Sequence, residues 1–322
     1  IPSNFREFTA TGGTTGVESH MFKTTTGTSS GGYGAIQSFR ALNYKAGEGG
    51  LARFTGKFTA GVASSWQGVG LINLGDELSF GYNGTAFGIW HRHNGIAEVQ
   101  TLTLTTQAGG SENATLTLNS VAYTIPLTAG SLQHNAYEIE AWLNDTANQT
   151  VWVADQLDDT VIISALSDGA KAGTYSFSSG TAVGTLAQGE AGVTKTSDFV
   201  AQTSWNRNTM ASLDPTMGNV FQIRYQYLGF GAIFYEVEDP ATGVLETVHV
   251  IEYANANTVP SLGNPSLKAG LYCVSLGSTT DLSTYAASFG LFVQGVEGRT
   301  RNPRAVKNTQ GIVKNVFTSV LT

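Results

Sequence analysis

Cysteine is nearly absent from this chain. Cys273 is the only one, which excludes an intramolecular disulfide and a thiolate metal cluster. Set in LKAGLYCVSLG, it reads as a small buried apolar residue. Charge is also scarce. Asp, Glu, Lys and Arg make up 13% of residues, about half the usual share. The balance is acidic, at a net −7, which excludes a nucleic-acid-binding surface over the whole body. No apolar run approaches the ~18 residues that a membrane-spanning helix needs, and no signal segment stands at the start. The chain begins at Ile1 rather than Met, as a processed form or part of a longer product would.

Catalytic signatures are missing too. The Gly-Gly pairs lead into strand patterns, so they lack the helix N-terminus that cradles phosphate. No Ser sits in a strand–turn–helix elbow. Asp155–Asp159 lacks the spaced ligands of a calcium loop. The sequence therefore points to no catalytic residue, no resident metal and no cofactor.

What is plentiful is glycine, at 39 of 322 residues, with Thr, Ser and aromatics beside it; apolar residues make up 41%. That mixture suits an all-β protein with many turns. Gly218–Tyr253 shows the pattern best. In Val220–Leu228, Phe221, Ile223, Tyr225 and Tyr227 alternate with Gln222, Arg224 and Gln226, the period of a half-buried strand. Ala232–Glu238 alternates again, Asp239–Gly243 is a turn, and Val244–Tyr253 is a third strand. Upstream, Ala35–Tyr44, Leu51–Ala60, Trp66–Leu74, Glu77–Tyr82 and Thr85–His93 read as strands, with hairpin signals at Asn83-Gly84 and Asn94-Gly95. Lys268–Leu276 and Ala287–Gln294 read as closing strands.

The middle of the chain differs. Ala114–Leu127 is a hairpin across Asn119-Ser120. Ser131–Leu143 is a helix, with Leu132, Ala136, Ile139 and Leu143 on one face and Ser131 as N-cap. Strands at Val151–Asp155, Thr160–Leu166 and Tyr175–Ser178 follow. Thr196–Leu213 reads as irregular. The expected fold is mainly β: an antiparallel β-sandwich, jelly-roll or lectin-like, interrupted by a small α+β inserted domain. The layout is an extended N-terminal arm at 1–30, a split sandwich at 31–97 and 195–297, the insert at 98–194 and a basic tail at 298–322. A tandem arrangement is the alternative.

Four groups of residues are candidates for chemistry. His91 and His93 share one face of a strand, as two metal ligands would. No third ligand lies nearby in sequence, so they read as solvated imidazoles. Glu236 and Glu238 share a face as a carboxylate pair for glycosidic cleavage would, but Glu238 stands at a hairpin end. Trp66 and Trp90 are the candidates for stacking on sugars among Trp66, Trp90, Trp142, Trp152 and Trp205. From Gly298 to Thr322 there are five cations and no acid, with Arg299, Arg301, Arg304 and Lys307 expected to dock on a neighbouring subunit. Sequons at Asn83, Asn113, Asn144 and Asn148 matter only in a glycosylating compartment.

The blocks Gly31–Phe58, Phe80–Gly95, Asn219–Gly243, His249–Thr258 and Leu262–Tyr272 resemble uncharacterised virion structural proteins of large DNA viruses and environmental phages. Thr115–Gly130, ahead of the helix, resembles a module carried by phage tail and fibre proteins. The resemblance implies a non-enzymatic, self-associating capsid, fibre or filament subunit. It would sit on the virion surface or outside the cell and assemble through terminal arms and sheet edges. The expected partners are copies of itself and other virion proteins, with surface glycans as a further ligand and no nucleic acid or membrane insertion. The alternative is a lectin-like carbohydrate-binding module for host attachment.

Overall fold

The computed structural model describes residues 1–45, 47–148 and 151–294. The first part of the chain forms β1 (Phe5–Ala10), β2 (Thr14–Glu18), β3 (Met21–Thr25), β4 (Tyr33–Ala41), β5 (Gly49–Phe58), β6 (Ser65–Ile72), β7 (Glu77–Asn83) and β8 (Ala86–His93). The middle forms β9 (Ala97–Thr106), β10 (Glu112–Leu118), β11 (Val121–Leu127), α1 (Leu132–Asn144), β12 (Trp152–Leu157), β13 (Thr160–Asp168), β14 (Ser176–Ser178) and β15 (Val183–Glu190). The last part forms β16 (Thr196–Ala201), β17 (Asn219–Tyr225), β18 (Ile233–Glu238), β19 (Leu245–Ile251), β20 (Lys268–Ser275), β21 (Ser283–Ala286) and β22 (Phe289–Gln294).

Two antiparallel sheets make the sandwich. One runs β1-β4-β20-β6-β7-β8-β16. The other runs β19-β18-β17-β5-β21-β3-β2, with β22 also paired to β5. The alternation of β17 does the work that its pattern implies. Phe221 and Ile223 are fully buried, and Phe221 lies opposite Phe54 of β5 and Val237 of β18. The rings of Phe80 and Phe221 stack across the two sheets at 4.6 Å, and Phe58, Phe87, Trp205 and Tyr235 complete this core. Tyr235 reaches through it to donate its hydroxyl to the Trp90 carbonyl at 2.8 Å. Cys273 is fully buried, and burial pushes its thiol up to about 12.

A second core belongs to the α+β unit. Leu102, Leu116, Ile125, Trp152 and Ile163 pack there against Ala136, Ile139 and Leu143 of α1. Ser131 caps the helix, accepting from His134 N at 3.1 Å. The β10–β11 hairpin turns through Asn119 (φ 52°) and Ser120 (φ 67°), the positive pair that a two-residue turn requires. Among the described residues no helix is long and apolar enough to cross a membrane.

Two expectations need correction. Residues 1–30 are not a free arm. β1 pairs with β4 along its whole length, and β3 joins β21. The ring of Phe5 packs on that of Phe22 at 4.7 Å, and Thr14 bonds Thr25 across the β2–β3 hairpin at 2.8 Å. Threonine-rich segments with few apolar residues still form strands when a neighbour supplies the ladder. Within the α+β unit, β9 pairs with both β13 and β15. The segment read as irregular from Thr196 contains β16, an edge strand paired to β8. Arg299, Arg301, Arg304 and Lys307 lie outside the described residues.

Candidate functional site

The outward face of the β19-β18-β17-β5 sheet carries a row of planar polar side chains. Its register places Arg53 opposite Gln222, Gln222 opposite Glu236, and Glu236 opposite Thr247. Residues directly opposite on antiparallel strands share a face and lie close enough to bond. Arg53 donates from Nε and Nη2 to Gln222 Oε1 at 2.9 and 2.7 Å. Gln222 passes a hydrogen bond on to Glu236. Glu236 also accepts from Arg224 Nε at 2.9 Å and Thr247 Oγ1 at 3.1 Å. Gln222 and Glu236 are buried beneath this network, whereas Arg53 is exposed. The row is therefore pre-ordered, with spare guanidinium donors pointing outward.

Aromatic rings flank it. At one end the Arg224 guanidinium lies over the Phe234 ring at 3.9 Å. At the other, Gly290 stands opposite Arg53 and Phe292 opposite Leu51. A Cβ at Gly290 would lie 2.8 Å from the Phe292 ring, so that ring folds over the bare backbone. Phe292 is 55% exposed. Beside the row, Gly49, Arg224, Tyr225, Gln226, Phe234 and Gln294 line a cavity of about 330 Å³. That is the low end of the range of small-ligand sites, roughly 300–1,000 Å³.

The two tryptophans chosen from sequence lie on the other sheet. Trp90 is 2% exposed and cannot present a face to a sugar. The Arg92 guanidinium covers it at 3.7 Å, and Phe199 packs on it at 4.6 Å. Trp66 is half-buried, with Arg92 over its ring at 4.5 Å and its Nε1 donating to Asn83 Oδ1 at 3.1 Å. Arg92 is held there by a buried ion pair with Glu77 at 2.8 Å. Tyr272 donates to Glu77 at 2.9 Å and accepts from Arg92 at 3.0 Å. These two indoles brace a buried charge.

The histidines are also placed differently. His91 and His93 are buried, not solvated, and their rings stack at 4.5 Å. Asp198 of β16 lies directly opposite His91. One ligand atom from each of the three lies within 4.8 Å of the others. Burial lowers the pKa of both imidazoles, Asp198 and Asp76 opposing it, so both are held toward the neutral form.

Glu236 and Glu238 do share the outward face, but Arg224, Gln222 and Thr247 occupy Glu236. A carboxylate so engaged is a positioning group, not a free acid or base. The useful residues Phe292, Arg53 and Asp198 were missed. Arg53 and Gln222 were legible as outward positions. Only strand order puts Gly290 and Phe292 beside them.

No family model and no curated protein matches the chain. Among solved structures, it is similar to the Emp47p carbohydrate recognition domain, at 10% identity over 92% of this chain and 90% of that one, with a TM-score of 0.35. It is similar to a legume lectin-like domain from Entamoeba histolytica, at 8% identity over 91% of each chain, with a TM-score of 0.34. It is also similar to an endo-β-1,4-glucuronan lyase from the fungus Trichoderma reesei, at 7% identity over 90% of this chain and 95% of that one, with a TM-score of 0.35. These likenesses are distant, and the sandwich assignment rests on the strand pairing itself.

Proposed function

We propose that this chain is a non-enzymatic, lectin-like carbohydrate-binding protein. The observation that carries this reading is the Arg53–Gln222–Glu236–Arg224 row, set between the Phe234 and Phe292 rings beside a cavity of about 330 Å³. A pyranose offers an apolar face and adjacent hydroxyl pairs. The exposed Phe292 ring suits the first. Fixed forks of donors and acceptors suit the second. Side chains already locked by one another lose little entropy on binding.

A glycan array followed by calorimetry tests this. The wild type is expected to bind at least one saccharide class. Phe292→Ala and Arg53→Ala should each weaken it while leaving the circular dichroism unchanged. An array without binders, or affinity indifferent to both substitutions, would defeat the proposal.

Self-association as a virion subunit is the second reading. The open edge of β2, where Val17 is 56% exposed, favours it. Light scattering that shows a strict monomer at high concentration counts against it.

A further inference from the structure

We propose that His91, His93 and Asp198 bind a divalent transition-metal ion of the zinc type. The set is built by two neighbouring strands. His91 and His93 lie two residues apart on β8, so both project from one face. Their rings are nearly parallel, 19° apart. Asp198 joins them from the edge strand β16. His93 Nε2 lies 3.9 Å from Asp198 Oδ2, too far for a hydrogen bond. An ion about 2.1 Å from each atom spans such a gap. The Asp198 side chain is 61% exposed and free to rotate onto the ion.

The surroundings orient both imidazoles. His91 Nε2 lies 2.7 Å from the Ser261 carbonyl oxygen. A carbonyl only accepts, so Nε2 carries the proton and Nδ1 keeps its lone pair. A ligating histidine that donates its other N–H to a backbone carbonyl is the usual arrangement around a metal. His93 Nδ1 lies 2.7 Å from the side-chain amide of Asn94. The near atom is the amide nitrogen Nδ2, which donates to Nδ1; ligation through Nε2 requires this amide to turn over, so that Asn94 Oδ1 accepts from Nδ1–H. Asp76 faces the site too, but it accepts from the backbone N–H groups of Gly263, Asn264 and Asn94, at 2.7, 2.9 and 3.2 Å. It therefore locks the loop that carries Ser261 and is not available as a ligand.

Two imidazole nitrogens and one carboxylate oxygen select zinc, cobalt or nickel over calcium or magnesium, which take oxygen sets. Three protein ligands leave a fourth position on the exposed Asp198 side. β8 leads into the α+β unit and β16 leads out of it. A bound ion would tie these strands at the root of that unit. The inference does not depend on carbohydrate binding.

The test uses the full chain, freed of metal with a chelator and titrated with Zn²⁺ by calorimetry, and with Co²⁺ followed in the visible. One equivalent of Zn²⁺ should bind and raise the melting temperature, and Co²⁺ should give the absorption of a low-symmetry site. Asp198→Asn, on an exposed side chain, should fold as the wild type and lose at least ~10-fold in affinity; Asn94→Ala should lose ~10–100-fold. Two results would overturn the proposal. One is no stoichiometric uptake. The other is uptake unchanged in both Asp198→Asn and His93→Gln, which would place the ion on histidines elsewhere.

Discussion

Replacing Arg92 by Met should be among the most damaging single changes in the sandwich. The Glu77 and Arg92 side chains are 2% and 4% exposed, and they meet at 2.8 Å. Removing one partner of a buried pair leaves an uncompensated charge, at a cost of ~3–5 kcal/mol. Arg92 also lies over two indole rings, at 3.7 and 4.5 Å. A desolvated cation–π contact adds ~2 kcal/mol. Met fills part of the space and returns some packing, so a net loss of ~4 kcal/mol is expected. That is a large fraction of the ~5–15 kcal/mol that holds a native protein together. Urea unfolding at pH 7 should show it as a lower midpoint at unchanged slope. The double change Glu77→Gln with Arg92→Met should cost clearly less than the two single losses combined, because neither charge is then stranded. Arg92→Lys should recover less than half of the loss, since an ammonium cannot lie flat between two rings. If Arg92→Met costs under ~1 kcal/mol, or the double loss equals the two singles added, the buried-pair account is wrong.

Three further outcomes follow from other parts of the molecule. Phe221→Ala removes a fully buried ring stacked on Phe80 and should cost ~3–5 kcal/mol, measured by denaturant unfolding. Gly290→Ala should lift the Phe292 ring, whose edge is 2.8 Å from the new methyl, and lower glycan affinity in calorimetry with little change in melting temperature. Acidification should destabilise the fold. Burial lowers the pKa of His91, His93 and His249, so below about pH 6.5 the unfolded chain takes up protons that the native state refuses. Each such group steepens the loss by up to ~1.4 kcal/mol per pH unit until its native pKa is reached. Melting curves between pH 7 and pH 5 should therefore fall in temperature, and a flat profile would contradict the burial of these rings.

How far the sequence could be read depends on where each strand sits. β17 and β18 face a core on one side only, so their alternation was plain. β7 and β8 were found through the Asn83-Gly84 turn, where Gly84 has φ 60°. α1 was legible from the spacing of Ala136, Ile139 and Leu143 and from its Ser131 cap. β16 was not. It is an edge strand whose first three residues are exposed, so no hydrophobic period marks it. Asp198 therefore could not be joined to His91 and His93. Trp90 is covered for a related reason. Alternation assigns a side chain to the outward face, but it does not say whether neighbours on that face will cover it.

The sequence by itself determined the strand-rich class, the helix α1, the buried single cysteine and the positions that point away from the core. These follow from local periodicity, turn chemistry and composition, which act within a few residues. Tertiary structure alone decided that Arg53, Gln222, Glu236 and Phe292 share one surface, that Arg92 is walled in by Trp66 and Trp90, and that Asp198 meets two histidines. Those meetings are fixed by which strands become neighbours. That choice follows from packing two large aromatic faces against each other, an interaction summed over the whole chain.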